Sequence, residues 1–277
     1  MSGLPGDSHV HSEWSWDASG GDMEATCARA VEVGLPAVSF TEHLDHTVWR
    51  IEVEGPYALD VLTSRAGADR MLTPPRFDAV GYLAAVERCR ERFPRLRILS
   101  GLEMGEPHWH AEACRRVLAA GPFDRLLGSL HALPDDGVYA EPWGIYPHRE
   151  PAEVMREYLA AVAVMVGSDS PFAVLAHIDY PVRSWPGRFE PADFEEEFRY
   201  ALWATAESGR ALEINTRIPL HATILRWWHD VGGDAVSFGS DAHLPELVGH
   251  GFAEAARMAE AYGFRPGRRP YDLWGRA

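Results

Sequence analysis

The feature that most constrains the fold of this chain is a repeated alternation between two hydrophobic periods. Short apolar runs typical of strands alternate seven times with segments whose apolar residues recur at helical spacing. The predicted strands are Gly6–His11, Ala37–His43, Arg97–Met104, Asp124–Leu133, Ala173–Tyr180, Ala211–Thr216 and Ala235–His243. The predicted helices are Asp22–Val33, Phe77–Arg92, His110–Ala119, Pro151–Val166, Ala192–Ser208, Leu220–Asp230 and Ala253–Tyr262. Strand followed by helix throughout favours parallel βαβ units over hairpins.

Two stretches lack a clear period, and we expect them to be long loops. Residues 44–76 contain Gly55-Pro56 and Pro74-Pro75, and residues 134–149 contain Asp135-Asp136-Gly137. Long loops in a compact domain usually cover or bind a ligand. Single α/β barrels reach the length of this chain, 277 residues, so we expect residues 1–277 to form one domain.

The charged residues exclude several kinds of chemistry. The chain has no lysine, so all 26 basic residues are arginine, and the formal net charge is −15. A Walker-type nucleotide site and a Schiff-base lysine are therefore excluded. The acidic balance argues against nucleic acid as a partner. An anionic small molecule stays possible, because bound divalent cations reverse the field locally.

The cysteines and the apolar runs indicate the compartment. Cys27, Cys89 and Cys114 are far apart in sequence and odd in number, which favours a reducing environment over a disulfide framework. The longest apolar run, Leu159–Val166, is far too short to span a membrane. The first ten residues lack the pattern of a signal peptide. We therefore expect a cytoplasmic protein without a membrane partner, of undetermined oligomeric state.

Histidines gather where the predicted strands end. Six of the thirteen lie near carboxyl ends of strands, the end that forms the active-site mouth of a parallel barrel: His9, His11, His43, His131, His177 and His243. Alternation along a strand puts the first two on one face, so both could bind one ion. The last strand repeats this spacing with Asp241, and Glu103 takes the matching place on the third strand. Together these residues predict a metal site.

Six short motifs at these positions resemble those of the PHP (polymerase and histidinol phosphatase) superfamily, in the order of that family and closest to its histidinol-phosphatase branch. They are Asp7-Ser8-His9-Val10-His11, Thr41-Glu42-His43, Gly101-Leu102-Glu103, Gly128-Ser129-Leu130-His131, Ala176-His177-Ile178-Asp179 and Gly239-Ser240-Asp241-Ala242-His243. The resemblance covers residue 7 to about residue 250. It implies a distorted (βα)7 TIM-like barrel with two or three divalent metal ions.

The resemblance also implies three ion sites. The first would use His9, His11, Glu103 and Asp241; the second Glu103, His131 and His177; the third Asp17, His43 and His243. Asp17 lies where many relatives have histidine. Glu42 would orient His43 rather than bind an ion. Imidazole and carboxylate ligands without thiolate fit Zn, Mn or Fe(II) equally.

Such a site would run phosphate hydrolysis. Two ions bridged by a carboxylate can share one water molecule and lower its pKa, and the resulting hydroxide can attack phosphorus. Glu103, Asp241 and His243 are the residues expected at this reacting centre. Arg183 is the expected donor to the phosphate, and Arg217 is a second candidate for substrate binding. Small residues tend to follow the Asn-Thr of that strand in the branch, so Arg217 departs from its pattern. Five tryptophans of the mouth segments could form a lid or stack on a ring: Trp14, Trp16, Trp49, Trp143 and Trp185.

The leading hypothesis is a metal-dependent phosphomonoesterase acting on histidinol phosphate or a related metabolite. A barrel amidohydrolase acting on a C–N bond is an alternative, because such enzymes also begin with an HxH strand. The missing lysine and the GlyLeuGlu and GlySerLeuHis motifs count against it. A catalytically silent metal-binding PHP module is a second alternative, although silent relatives usually lose ligands. The leaving group and the native metal stay open.

Overall fold

Seven parallel strands follow one another in chain order in a computed structural model that describes residues 3–51 and 60–277. Each strand pairs with the next in sequence, from the first to the seventh. They are β1 (Asp7–Val10), β2 (Ala37–Leu44), β3 (Arg97–Gly105), β4 (Arg125–Ser129), β5 (Val174–Leu175), β6 (Ala211–Asn215) and β7 (Ala235–Gly239). The predicted order and parallel direction of the strands are confirmed.

One helix of at least eight residues follows each strand, as the alternation predicts. The helices are α1 (Met23–Val33), α2 (Ala79–Arg92), α3 (Ala111–Leu118), α4 (Pro151–Val166), α5 (Glu195–Glu207), α6 (Ala222–Asp230) and α7 (Phe252–Ala261). Local signals set their ends: Asp22 caps the first turn of α1 by accepting the Ala25 N–H at 2.8 Å, and Gly34 ends that helix at φ 80°. The (βα)7 architecture expected from the sequence is therefore present.

The barrel closes at a short seam between β1 and the residues after β7. A single parallel bridge joins Val10 to Ala242. The His11 N–H donates to the Ala242 carbonyl at 2.9 Å, and the Asp241 N–H donates to the His9 carbonyl at 2.8 Å. The outer edge of β7 instead pairs antiparallel with Trp274–Arg276, which pairs with Phe264–Arg265. This C-terminal hairpin was not predicted from the sequence.

Some predicted strands are longer than the observed ones. Ala173–Tyr180 contains only the two residues of β5, because the chain turns and enters a 3-10 helix, Tyr180–Ser184. Pro181 in that helix has no N–H with which to extend a strand. Two further 3-10 helices, Pro191–Phe194 and Pro245–Leu247, have proline at their first position.

The two stretches expected as loops form a small second sheet. Its strand order is Met71–Leu72, Trp49–Arg50, Val138–Ala140, Leu133–Asp135. The expectation of irregular structure was therefore wrong for these parts, because two-residue and three-residue strands carry no visible period. Two one-turn helices, Asp60–Thr63 and Pro142–Ile145, belong to the same stretches. Residues 52–59 of the first stretch lie outside the described residues.

Each layer has an apolar core. The main cluster fills the space between the sheet and the helices, with Tyr82, Tyr158, Phe198, Trp227 and Trp228 among its largest buried side chains. A separate cluster under the small sheet contains Trp49, Ile51, Leu62, Leu72 and Ala132. In the described part of the chain, no helix is both long and apolar enough to cross a bilayer.

Tyr82 on α2 joins two central strands and generates a stability prediction. Its hydroxyl donates to the Phe40 carbonyl at 2.6 Å and accepts the Gly101 N–H at 2.8 Å, and the side chain is fully buried. Tyr82→Phe leaves both backbone groups unsatisfied and should lower the free energy of unfolding by about 1–3 kcal/mol. Urea unfolding measures this loss. The control Tyr200→Phe, at a side chain that is 57% exposed, should change stability little; equal effects of both variants would contradict the argument.

Candidate metal centre

The carboxyl ends of the barrel strands bring the predicted ligands into one cluster. His9 lies in β1, His43 in β2 and Glu103 in β3. The remaining predicted ligands follow directly after strands or lie in the loop after β1: His11, Asp17, His131, His177, Asp241 and His243. This arrangement arises because parallel strands all end at one side of the barrel.

Glu103 lies at the centre of the cluster and is almost completely buried. Its Oε1 lies 3.2 Å from His131 Nε2 and 2.7 Å from His177 Nε2. Its Oε2 lies between 3.2 and 3.5 Å from a ring nitrogen of each of three histidines, His9, His11 and His43. One carboxylate thus faces two groups of histidines with its two oxygens, which is the arrangement of a carboxylate that bridges two ions.

Asp17 reaches the cluster from the loop after β1. Its Oδ2 lies 3.4 Å from His43 Nε2 and 3.1 Å from His243 Nε2. Its Oδ1 is buried and has no hydrogen-bond partner. The structure therefore brings Asp17 together with the two histidines predicted to share its ion.

Asp241 completes the seam side of the cluster in an uncommon backbone conformation. Its φ is 53°, in the left-handed region, which aspartate tolerates better than most residues. Its Oδ1 lies 3.5 Å from His11 Nε2 and 3.5 Å from His243 Nδ1. The backbone hydrogen bond to His9 described above holds this conformation and aims the carboxylate at the histidines.

The donor set fits divalent ions. In this cluster, four groups of three residues each place ligand atoms within 4.8 Å of one another: His9, His11 and Asp241; His9, Glu103 and His177; His11, His43 and His243; His43, Asp45 and His131. Nitrogen and carboxylate donors without thiolate suit Zn, Mn or Fe. The unpartnered Asp17 Oδ1 adds a buried acceptor that an ion would satisfy.

The central carboxylates are held in the charged form. Burial acts to raise the pKa of Glu103, but the surrounding His9, His131 and His43 outweigh it and hold this pKa well below its usual range. For Asp241, burial is likewise outweighed, mainly by Arg183 and His9, and its pKa is also held well below the usual range. Both side chains are therefore available as anionic ligands.

Glu213 was missed by the sequence analysis. It is fully buried on β6, its Oε1 lies 2.7 Å from His9 Nδ1, and its Oε2 accepts the His177 N–H at 2.8 Å. A Cβ atom at Gly239 on β7 would overlap Glu213 Oε1, so glycine leaves the room for this pair. The available signal was a charged residue within the apolar run of a strand. Its position behind His9 is that of a residue that orients a ligand.

Asp45 was also missed. It lies just past β2, and its Oδ2 is 3.4 Å from His43 Nδ1 and accepts the Trp16 indole N–H at 2.9 Å. Its side chain is almost completely buried. Residues 44–76 show no clear period, so nothing in the sequence distinguished Asp45 from an ordinary loop residue.

Glu42 acts through serines. It accepts hydrogen bonds from the hydroxyls of Ser12 and Ser15. The Ser15 Oγ in turn lies 2.9 Å from His11 Nδ1 and accepts the His43 N–H at 3.0 Å. Burial raises the pKa of Glu42 to about 7, although the serine hydrogen bonds oppose this rise. Through Ser15, Glu42 therefore helps to orient His11 and His43.

Both candidate arginines reach the cluster at Asp241. Arg183 donates from Nη2 to Asp241 Oδ2. Arg217 lies with its Nη1 3.3 Å from Asp241 Oδ1 and 3.1 Å from His243 Nδ1. The Arg183 guanidinium also lies over the Tyr180 ring, with its central carbon 4.8 Å from the ring centroid. Two fixed cations thus border the candidate ligands.

A pocket of about 610 Å³ opens over the cluster. Its walls include both arginines and three of the five mouth tryptophans, Trp16, Trp49 and Trp143. The other two pack into the core instead: Trp14 lies edge-on to Tyr82, and Trp185 lies edge-on to Tyr146. The pocket is large enough for a small metabolite.

The sequence profile of the PHP domain family matches residues 7–217, about three quarters of the chain. The chain belongs to the PHP domain family. It is 26% identical over 269 residues to the histidinol-phosphatase of Lactococcus lactis, covering 93% of this chain and 91% of the relative. It is 27% identical over 282 residues to a protein named probable histidinol-phosphatase from Deinococcus radiodurans, covering 96% of each chain.

A solved structure shares the fold of this PHP-domain protein. It is the crystal structure of histidinol phosphate phosphatase from Lactococcus lactis in complex with zinc, L-histidinol and phosphate. The two structures align with a TM-score of 0.78 over 98% of both chains, at 22% sequence identity. The expected distorted TIM-like barrel is thereby confirmed.

The position of Glu213 predicts an effect on metal binding. Glu213→Gln removes the negative charge behind His9 and should weaken zinc binding by roughly 10- to 100-fold, as is usual for such orienting partners. Competition with a chromophoric chelator measures the affinity. Glu207→Gln, at an exposed position on α5, is the matched control and should bind zinc as the unchanged protein does. Equal affinity in all three proteins would rule out the orienting role.

Proton release on metal binding is a second expected outcome. Burial acts to lower the pKa of His43, but Asp17, Glu103 and Asp45 outweigh it and raise that pKa to about 10. The imidazole therefore holds a proton at neutral pH, and an ion must displace it. Zinc affinity should rise with pH by up to about tenfold per unit for each proton displaced. Calorimetry in buffers of different ionisation enthalpy counts the protons; an affinity independent of pH would contradict this.

Proposed function

We propose that this protein is a metal-dependent phosphomonoesterase whose substrate is histidinol phosphate or a closely related small phosphate ester. The observation that carries the proposal is one pocket lined by two arginines and by seven of the nine candidate metal ligands, with the buried His9 and His11 directly beside these ligands. Membership of the PHP domain family and similarity to proteins named histidinol-phosphatase over more than 90% of the chain support it.

We propose three ion sites at this floor, for two or three ions of Zn, Mn or Fe. The assignments are His9, His11, Glu103 and Asp241 for the first; Glu103, His131 and His177 for the second; Asp17, His43 and His243 for the third. The support is geometric, since Glu103 faces both of the first two groups and Asp17 contacts both histidines of the third. Asp45, between His43 and His131, is a further candidate ligand.

Ions bound here would supply an activated water and neutralise the phosphate oxygens. The residues of the chain do the rest. Glu103 keeps its negative charge and holds the surrounding histidines in position. Asp241 and His243 form the pocket wall beside it. Arg183 presents a guanidinium, fixed by Asp241 and the Tyr180 ring, to the phosphate, and Arg217 lies next to it. No nucleophilic serine or cysteine is required.

The complete ligand set favours an active enzyme over a silent metal-binding module, and the PHP domain match favours phosphate chemistry over hydrolysis of a C–N bond. We also propose that residues 1–277 act as one domain in the cytoplasm. The small sheet shares the pocket with the barrel, and all three cysteines are buried free thiols, as suits a reducing compartment.

The direct test of the function is phosphate release from L-histidinol phosphate. Protein stripped with a chelator and refilled with Zn, Mn or Fe(II) should regain activity with at least one metal, and the stripped protein should be inactive. An amide panel serves as the comparison for C–N hydrolysis. Full activity in the presence of the chelator, or no release from any phosphate monoester, would overturn the proposal.

Arg183 carries the prediction for phosphate binding. Arg183→Ala should lower kcat/KM by about 1.5–3 kcal/mol of transition-state binding for every monoester, because the contact is to the shared phosphate. Arg183→Lys should recover only part of the loss, since a point charge cannot bind two oxygens. Metal content should not fall, because Arg183 is not a candidate ligand and the loss of its positive charge removes repulsion of a bound metal ion.

The control for this prediction is Arg188→Ala, which removes an arginine that is 90% exposed in the same segment. It should leave the kinetics unchanged. Kinetics of both variants on L-histidinol phosphate and 4-nitrophenyl phosphate give the answer. A defect of Arg183→Ala confined to one of the two esters would exclude the phosphate role.

A further inference from the structure

The pocket has two ends of opposite charge, and Tyr180 separates them. The Tyr180 ring lies beneath the Arg183 guanidinium at 4.8 Å, while its hydroxyl donates to Glu141 Oε2 at 2.7 Å. Arg183 therefore marks a cationic end, next to Asp241, and Glu141 marks an acidic end one tyrosine away. All of these side chains line the pocket.

Two carboxylates form the acidic end. Glu141, in the stretch between the small sheet and α4, accepts the Trp143 indole N–H at 2.9 Å in addition to the Tyr180 hydroxyl. Both of these hydrogen bonds end on Oε2. Asp45, from the other stretch of the small sheet, accepts the Trp16 indole N–H on Oδ2, while its Oδ1 is buried without a hydrogen-bond partner. The two donors to Glu141 are neutral, so they leave its negative charge uncompensated.

No fixed cation of the described residues pairs with Glu141. The chain has no lysine, and among the described residues no arginine forms an ion pair with Glu141 or Asp45. Asp45, by contrast, has two candidate ligands beside it, with His43 Nδ1 3.4 Å from its Oδ2 and His131 Nδ1 3.9 Å from its Oδ1. Buried carboxylates are costly unless a positive group pairs with them. A cationic ligand would supply that pair.

Flat apolar side chains lie next to the two carboxylates. The rings of Trp16 and Trp49 are 5.9 Å apart and form a corner with Leu62, and Trp143 lies on the same side. All four line the pocket. Tryptophan faces attract cations and planar rings alike. The acidic end thus offers a wall for a ring as well as a partner for a positive charge.

We propose that Glu141 determines specificity for the leaving group by selecting phosphate monoesters whose alcohol portion carries an ammonium group beside a flat ring. The phosphate of such an ester faces Arg183, its ammonium group donates to Glu141, and its ring lies against Trp16 and Trp143. This inference rests on the proposed phosphomonoesterase function. It adds the residues that recognise the part of the substrate that is not phosphate.

The test compares a cationic with an uncharged leaving group. Glu141→Gln keeps an oxygen that can accept from Tyr180 and Trp143 but removes the charge. The ratio of kcat/KM for L-histidinol phosphate to kcat/KM for 4-nitrophenyl phosphate should fall by about 10- to 100-fold, as expected for one lost charge-assisted hydrogen bond, and chiefly through KM. Glu150→Gln removes the same charge from an exposed residue nearby in sequence and should leave the ratio unchanged.

A second measurement needs no variant. For the unchanged enzyme, the analogue of L-histidinol phosphate that lacks the amino group should lose a similar factor in kcat/KM. An unchanged ratio in Glu141→Gln, or equal losses on both esters, would overturn the inference; equal losses would instead mean that Glu141 only positions Tyr180 and Arg183. Full activity on the deaminated analogue would overturn it as well. Absence of phosphate release from all three esters would count against the proposed function itself.

Discussion

The whole site depends on the burial of one carboxylate, Glu103, among histidine nitrogens. Burying an ionised carboxylate costs several kcal/mol unless opposite charges and donors surround it. The barrel supplies these from four other strand ends, so that both oxygens of Glu103 face imidazole nitrogens at 2.7–3.5 Å. The same compensation prepares the site for divalent ions, which can replace protons between the same groups. Stability and metal affinity are therefore linked through one side chain.

The contacts that close the barrel also determine the geometry of the cluster. Asp7 is buried at the seam, where its Oδ1 accepts the Ser240 N–H at 3.0 Å and its Oδ2 accepts the Gly249 N–H at 2.9 Å. These contacts fix the segment after β7 and hold Asp241 in its left-handed conformation beside His9. A continuous β1–β7 ladder would instead carry this segment past the mouth as a regular strand.

The sequence predicted two features best: the strands and helices with a regular hydrophobic period, and the ligands at the ends of those strands. The seven strand–helix units are confirmed, with α4 correct to the residue, because each period extends over several residues. The nine predicted ligands meet in space because strand ends of a parallel barrel converge. Glu213 and Asp45 were not predicted, since their roles come from neighbours remote in sequence. The small sheet was missed because pairing of two-residue and three-residue strands depends on tertiary contacts.

The residues and the small sheet that were not predicted from the sequence have one feature in common, which is their dependence on tertiary contacts. The ligands lie on the barrel, where strand geometry fixes them, whereas Glu141 and the tryptophans Trp49 and Trp143 lie on the two mouth stretches that form the small sheet. The amino-acid sequence of such surface stretches can change without disturbing the barrel core. The scaffold therefore keeps two groups of residues apart: the candidate ligands lie at the strand ends, and the residues that we propose for recognition of the leaving group lie on the small sheet and its flanking turns. Sequence motifs mark the first group, whereas only contacts in the folded chain mark the second.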